Sequence, residues 1–451
     1  MEDIGNTGNV SLKRSKKRKI SLEELETLSR EELINHILRL DIHNNQLKNI
    51  INKSVPKECA GTHLSVKKNR KFDFSKCSKR HVLLKLLYLG WEYQGYTTQE
   101  DTTNTIEYHL FSALERCCLV ESRQTSNYGR CGRTDKGVSS FCQVVSLDIR
   151  SKLTQEQLAA CGNAVEGELD YPKLLNRVLP TDIRVFSWCP VPPNLSARFD
   201  CKQRTYKYFF PRGNLNIEAM DTAVQYMVGC HDFRNLCKMD VANGVVKYER
   251  RIISAKVKII VTDSFRNGAD TTSAYDMCEL TLVGQAYLWH QVRCIMGILL
   301  LIGQGKEKVE VMKQLLDIES HPRKPQYCLA SHVPLNLFHC EFDCSDWVIN
   351  KEALIGVICR LQQEWTMYTV KSTMIRSMLL ECQGMLSDGG AIREQSSSLL
   401  HGIEAKVHQP LFQRPTCRSL ENRVEHFVKK RRLEVTFSDE GSSQEHKGNS
   451  N

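Results

Sequence analysis

The stretch Gly129-Arg130-Cys131-Gly132-Arg133-Thr134-Asp135-Lys136-Gly137-Val138 constrains the rest of the chain most tightly. Three glycines within nine residues permit positive φ and close backbone approach, so this is a loop held against a neighbouring element. A strand follows it. Val145, Leu147 and Ile149 alternate with Ser146, Asp148 and Arg150, the period-two pattern of a half-buried strand. The loop therefore lies on a sheet and carries one carboxylate, Asp135, which Arg133 and Lys136 are expected to keep ionised. Local chemistry also admits plainer readings, because glycine loops before strands are often simple turns and an Asp beside an Arg is often a surface ion pair. A phosphate cradle is excluded: Val138 and Ser139 stand where such a loop needs Lys and then Ser or Thr.

Taken in order, residues 1–20 form a disordered basic tail, with six cations in the seven positions from Lys13 to Lys19. Between residues 21 and 51, Leu33, Ile37, Leu40, Asn44, Leu47 and Ile51 fall on alternating four- and three-residue spacing. That spacing fits a short coiled-coil seam with one polar core position, or a lone amphipathic helix. Residues 52–79, with Pro56 and Gly61, form a linker. The folded body begins near Arg80, where Val82 to Tyr88 is a continuous apolar strand ended by Gly90. Asn104 with Glu107 resembles a capping box, opening a helix that carries Ile106, Leu110, Leu114 and Cys117. In the strand around Thr205 to Phe210, Tyr206 and Tyr208 share one face.

A second half echoes the first. Met220, Val224 and Met227 mark a helix, Ile253 to Val261 and Cys278 to Leu282 alternate as strands, and a long helix carries Leu288, Val292, Ile295, Leu299 and Ile302 on its buried stripe. Arg293 sits one residue off that stripe, where an arginine ordinarily snorkels to solvent. His231, after Gly229, is expected to be a satisfied turn residue. Beyond Phe342 come an amphipathic helix around Leu354 to Tyr368, a serine-rich patch at 396–398 and a polar tail. Strands alternating with helices in two similar halves predict an α+β fold.

In 451 residues no apolar run approaches the eighteen that a membrane span needs, so no membrane partner is expected. Nineteen cysteines without a CxxC pair or a preceding signal peptide fit a reduced intracellular compartment. His339, Cys340 and Cys344 come nearest to a ligand cluster, but their spacing fits no common zinc site and no metal is expected. The net charge of +10 favours a polyanionic partner. Part of that charge lies in Lys13–Lys19 and in Lys429-Lys430-Arg431-Arg432, which are solvated runs or nuclear-import signals; nuclear residence is the expectation drawn from them.

Arg133-Thr134-Asp135-Lys136-Gly137-Val138 resembles the signature of the TruA family of tRNA pseudouridine synthases, whose invariant Asp carries the chemistry. Tyr88–Tyr96, Leu175–Val185, Ser196–Phe199, Gly229–Phe233 and Gly284–Arg293 resemble further family segments in the expected order. Leu89 departs from the family's usual Asp, and Lys136 and Ser139 stand where bacterial relatives often have Ala and His. Asn235–Gly244, Lys324–Tyr327, His408–Pro415 and Arg423–Phe427 resemble the eukaryotic branch, which acts at positions 38 and 39 of the tRNA anticodon stem-loop. The likeness runs continuously over 72–345 and returns near 405–432.

The resemblance implies an isomerase with Asp135 as catalytic group and no cofactor. It implies that Arg133 holds the flipped nucleotide or fills the vacated stack, that Tyr206 packs on the target base, and that Arg293 pairs with Asp135 and lowers its pKa. It further implies a homodimer acting on the tRNA anticodon stem-loop. Each chain would have an N-terminal catalytic subdomain (80–200) and a C-terminal subdomain (201–345), sharing a central mostly antiparallel sheet flanked by helices, with a positive cleft. A eukaryotic-type extension (346–435) and a disordered tail (436–451) complete it. Two rivals remain at this point: an idle RNA-binding protein, expected to have lost one of Asp135, Arg133, Tyr206 and Arg293, all of which are present, and a coiled-coil scaffold carrying the domain as a passenger.

Overall fold

In the computed structural model, residues 72–429 are described, apart from 162–165, 262–272, 345, 387–394, 396–398 and 402–406. The coiled-coil seam at 21–51, the tails at 1–20 and 436–451, most of the 52–79 linker and the serine-rich patch lie outside the described residues.

The continuous apolar runs pair first. Strand β1 (Lys79–Tyr88) lies between β3 (Ser139–Arg150) and β4 (Ile183–Pro190), antiparallel to both, while β2 (Gly129–Arg130) pairs with β3. The second half supplies β5 (Gln203–Pro211), β6 (Gly229–Asp232), β7 (Glu249–Val261) and β8 (Met277–Gly284). A separate two-stranded antiparallel sheet pairs β9 (Leu329–Ala330) with β11 (Leu400–His401). Strand β10 (Leu335–Glu341) joins the halves, parallel to β3 for two residue pairs and antiparallel to β5, giving the order β4-β1-β3-β10-β5-β8-β7-β6. The sheet is mostly antiparallel and mixed with helices, as expected for an α+β chain.

Helix α1 (Ile106–Arg116) packs Leu110 and Leu114 with Val82, Leu84 and Leu147 in the first core. Short helices α2 (Gln155–Cys161) and α3 (Tyr171–Asn176) follow. The second core gathers Met220 and Val224 of α4 (Ile217–Gln225), most of α5 (Gln291–Gly303) and Met312 of α6 (Val311–Leu316) against Tyr208, Leu280 and Leu282.

Several expectations shift. Strand β3 is buried on both faces rather than one. Cys142 and Val144 pack with Leu83 and Leu337, while Ser146 is kept inside by accepting from Ala197 N–H at 3.1 Å. Helix α1 is capped by Thr105, whose hydroxyl accepts from Tyr108 N–H at 3.3 Å, and not by Asn104. Glu107 turns to other partners, described below. A bulge between Ile252 and Ser254 resets the register of β7, so Ile252, Ala255 and Val257 face the core while Ile253, Ile259 and Val261 are exposed. His231 is satisfied as expected, its Nε2 3.2 Å from Val228 O, but it lies in strand β6 opposite Arg250 of β7 rather than in a turn.

The largest departures are two helices. Helix α5 is buried on every side, so Arg293 is 7% exposed and does not snorkel. Helix α7 (Lys351–Gly384) is 34 residues long and buries only Val357, so it is not the two-faced helix expected around Leu354 to Tyr368. Its apolar side chains, Ile355, Trp365 and Met374 among them, are exposed. The chain then returns to the second core through Leu399, Leu411 and Leu420.

Candidate active site

The loop between β2 and β3 is seated on the turn that follows β1. Tyr96 N–H donates to Thr134 O at 3.1 Å, Gly137 N–H to Tyr93 O at 3.0 Å, and Tyr88 and Thr134 share a buried hydroxyl bond of 2.8 Å. Gly90 N–H donates to Ser139 Oγ at 2.9 Å, so Ser139 holds the loop's far end. The approach leaves no room for a side chain: a Cβ on Gly90 would lie 2.0 Å from Val138 O. Gly137 holds φ +73°, a left-handed conformation that glycine adopts without strain. Asp135 is thereby presented from a rigid loop.

It faces a cleft of about 1060 Å³ between the two halves of the sheet. Among the described residues the cleft lining carries nine lysine and arginine side chains and two carboxylates, Asp135 and Asp240. Arg133 is exposed on that lining, and Phe199, 79% exposed, lies beside Arg198 at 5.2 Å. Tyr206 borders the cleft from β5, edge-on to Tyr287 with ring centroids 4.8 Å apart. Burial, with the neighbouring Cys340 and Cys131, raises the Tyr206 hydroxyl well above its ordinary value, so it remains a neutral phenol.

Asp135 meets a different neighbour from the one expected. His290 Nε2 lies 3.4 Å from Asp135 Oδ2. Among the described residues Arg293 makes no direct ion pair with Asp135; its Nε donates to Ala330 O at 2.8 Å, and its charge acts on the carboxylate through space. The net effect on Asp135 also reverses expectation. Burial pushes the carboxyl above its ordinary value, and the opposing pulls of Arg293, a Trp289 hydrogen bond and Lys238 do not cancel it. Arg133, exposed on the cleft wall, is not among those opposing groups.

His290 is the residue the sequence reading missed. It holds φ +59°, the left-handed region, as the uncapped N-cap of α5, a strained position of the kind found at functional sites. Burial, followed by the charges of Arg293, Lys238 and Lys324, pushes its imidazole down to about 4, so it is neutral at physiological pH. The available signal was its place immediately before the helix that carries Arg293.

The cysteines also assemble unexpectedly. Cys131, Cys201 and Cys340 bring their sulfurs within 4.8 Å of one another, all buried, with Cys131 in the loop that carries Asp135. His339 and Cys344, considered with Cys340 from the sequence, take no part in that group.

A partly buried carboxylate on a rigid loop, facing a strongly basic cleft with an aromatic wall, is the arrangement of a protein that receives a polyanion such as a nucleic acid. The comparisons make the class specific. The family model described as tRNA pseudouridine synthase matches residues 223–343. A Homo sapiens protein named tRNA pseudouridine(38/39) synthase is 45% identical over 90% of this chain and 89% of its own length. The Saccharomyces cerevisiae protein of the same name is 40% identical over 71% of this chain and 72% of its own. A Methanosarcina barkeri protein named tRNA pseudouridine synthase A is 29% identical over 53% of this chain and 76% of its own. The chain belongs to the tRNA pseudouridine synthase family, in its TruA branch.

Proposed function

We propose that this chain is an isomerase that converts uridine to pseudouridine at positions 38 and 39 of the tRNA anticodon stem-loop. The observation that carries the proposal is Asp135, held by a rigid loop at a basic cleft beside His290, Arg293 and Tyr206. The reaction breaks the N1–C1′ bond, turns the uracil and joins C5 to C1′, with the C5 proton leaving to solvent. It adds and removes no other atoms, so it needs no cofactor.

Asp135 serves either as nucleophile at C1′ or as counter-charge to the sugar while the base departs. Both roles require its ionised form. The through-space charge of Arg293, the Trp289 hydrogen bond and the charge of Lys238 favour that form against burial. Arg133 holds the extruded nucleotide, whose unstacking costs a few kcal/mol. Tyr206 packs on the target base, and its protonated hydroxyl fits a donor rather than a base. Cleft lysines and arginines take phosphates, so affinity falls with rising salt.

The test uses unmodified tRNA transcripts that carry uridine at 38 and 39 or cytidine in both places. Pseudouridine mapped only at those two uridines supports the position; conversion elsewhere at equal rate refutes it.

The working unit proposed is a homodimer. Exposed apolar side chains along α7, including Trp365, Val370 and Met374, support a second copy as partner. Sedimentation of the full chain is expected to give a dimer that Trp365→Glu with Met374→Glu weakens; a monomeric native chain would refute it. Nuclear residence is proposed from the clusters at Lys13–Lys19 and Lys429–Arg432, and a tagged chain that stays nuclear after both are neutralised would contradict that source.

A further inference from the structure

The loop that carries Asp135 also contributes to a site with its own chemistry. Cys131 belongs to the loop, Cys201 precedes β5 and Cys340 lies on β10, so three separate segments meet there. Their sulfurs lie within 4.8 Å of one another, and Cys131 donates to Cys340 Sγ at 3.3 Å. The side chains are 5%, 7% and 1% exposed, which keeps water from competing for them.

The charge balance is unusual. Arg204, 8% exposed, places its guanidinium against the same group. It donates to Cys131 O at 3.3 and 3.1 Å, to Cys201 O at 3.4 Å, to Arg198 O at 2.8 Å and to Gln285 O. Among the described residues it pairs with no carboxylate. A buried cation without an anion is costly, and the thiols beside it are the groups able to supply negative charge.

We propose that Cys131, Cys201 and Cys340 bind one soft divalent d10 cation of the zinc type as thiolates. Zinc–thiolate bonds of about 2.3 Å put ligand sulfurs roughly 3.8–4.0 Å apart, a spacing bracketed by that of the trio. A dication on three thiolates carries one net negative charge, which the Arg204 guanidinium cancels, leaving the buried site neutral. Binding releases the thiol protons to solvent and changes no oxidation state. The cation would staple the loop that carries Asp135 to both β5 and β10, the strands at the junction of the two halves. Sequence spacing conceals such a site because the ligands are about 70 and 140 residues apart along the chain, and the CxxC pairing of common zinc motifs is absent.

The experiment uses the full chain under reductant, stripped of metal by a chelator and titrated with cadmium ion, following the ultraviolet thiolate-to-metal charge-transfer band. One equivalent per chain is expected to produce the band. Cys201→Ser and Cys340→Ser should each weaken binding by at least 100-fold. A native chain that gives no band with one equivalent overturns the proposal without recourse to any variant. A band that survives in both folded variants overturns it too, since the metal would then sit elsewhere.

Discussion

Asp135→Asn is expected to lower turnover by at least about 10⁴-fold while tRNA affinity stays within a few-fold of native. The amide keeps the size of the side chain and removes the charge that the reaction uses. Since burial raises the Asp135 carboxyl in the folded chain, its ionised form costs stability at neutral pH. The variant should therefore melt higher than native at neutral pH. The sign reverses nothing in acid: below the ordinary carboxylate range both folded and unfolded Asp135 are protonated, so the gain disappears. For the same reason the acid limb of kcat/KM in the native enzyme is expected above the ordinary carboxylate range. His290, already neutral there, contributes no step at neutral pH. Turnover assays, filter binding and thermal scans at neutral and acid pH read all three effects. A variant that keeps more than a tenth of native turnover, or melts lower at neutral pH, would contradict this account.

Glu107→Leu is the substitution with the largest expected cost to folding. Glu107 is wholly buried in α1, and its carboxylate accepts from Thr98 N–H at 2.9 Å and from Arg130, with Arg123 at 3.5 Å. Arg130 is the residue of β2 that leads into the catalytic loop. Only Glu107 is fully buried, while Arg130 and Arg123 keep part of their surface in water, so the loss is set mainly by the unpaired Thr98 amide and the broken charge-assisted bonds and is on the order of 3 kcal/mol. Here the loss should appear as a Tm lower by on the order of 10 °C, with turnover falling alongside as the loop loosens. Burial pushes the Glu107 carboxyl up, but the Thr98 amide, Arg130 and Arg123 outweigh it and hold it below its ordinary value. That contribution is complete above the ordinary carboxylate range and is lost as pH falls through the lowered folded value. The Tm gap between native and variant should consequently narrow in acid. A gap that is unchanged down to acid pH would show that lost packing, not charge, is responsible.

The features legible in the chain were those written in consecutive residues. The loop around Asp135 announces itself through local glycines, and β1 and β8 follow from apolar periodicity that packing did not have to override. What sequence spacing could not carry was long-range. Strand β10 sits between β3 and β5 because two residue pairs join it to a strand nearly 200 positions earlier, and no local pattern encodes that. The same remoteness hides the Cys131, Cys201 and Cys340 group. Burial changed the meaning of other residues: Arg293 stays inside because all sides of α5 are covered, and Asp135 is raised because desolvation outweighs its cationic neighbours. His290 depends on a left-handed backbone that its neighbours impose, which its own identity does not reveal. In β7 the bulge between Ile252 and Ser254 turned Ile253 outward and put Ile252 in its place, while Ala255 and Val257 kept the inward face that alternation predicts.

The most direct test of the central claim follows the hydrogen at C5. Joining C5 to C1′ expels it, so unmodified tRNA made with tritium at uridine C5 should release one tritium to water for each pseudouridine formed by the native chain, with neither nucleotide nor metal added to the reaction. Asp135→Asn should bind the same tRNA and release none. Tritium release that persists in the variant, or native protein that binds the tRNA tightly and releases nothing, would contradict the assignment of Asp135 to this chemistry.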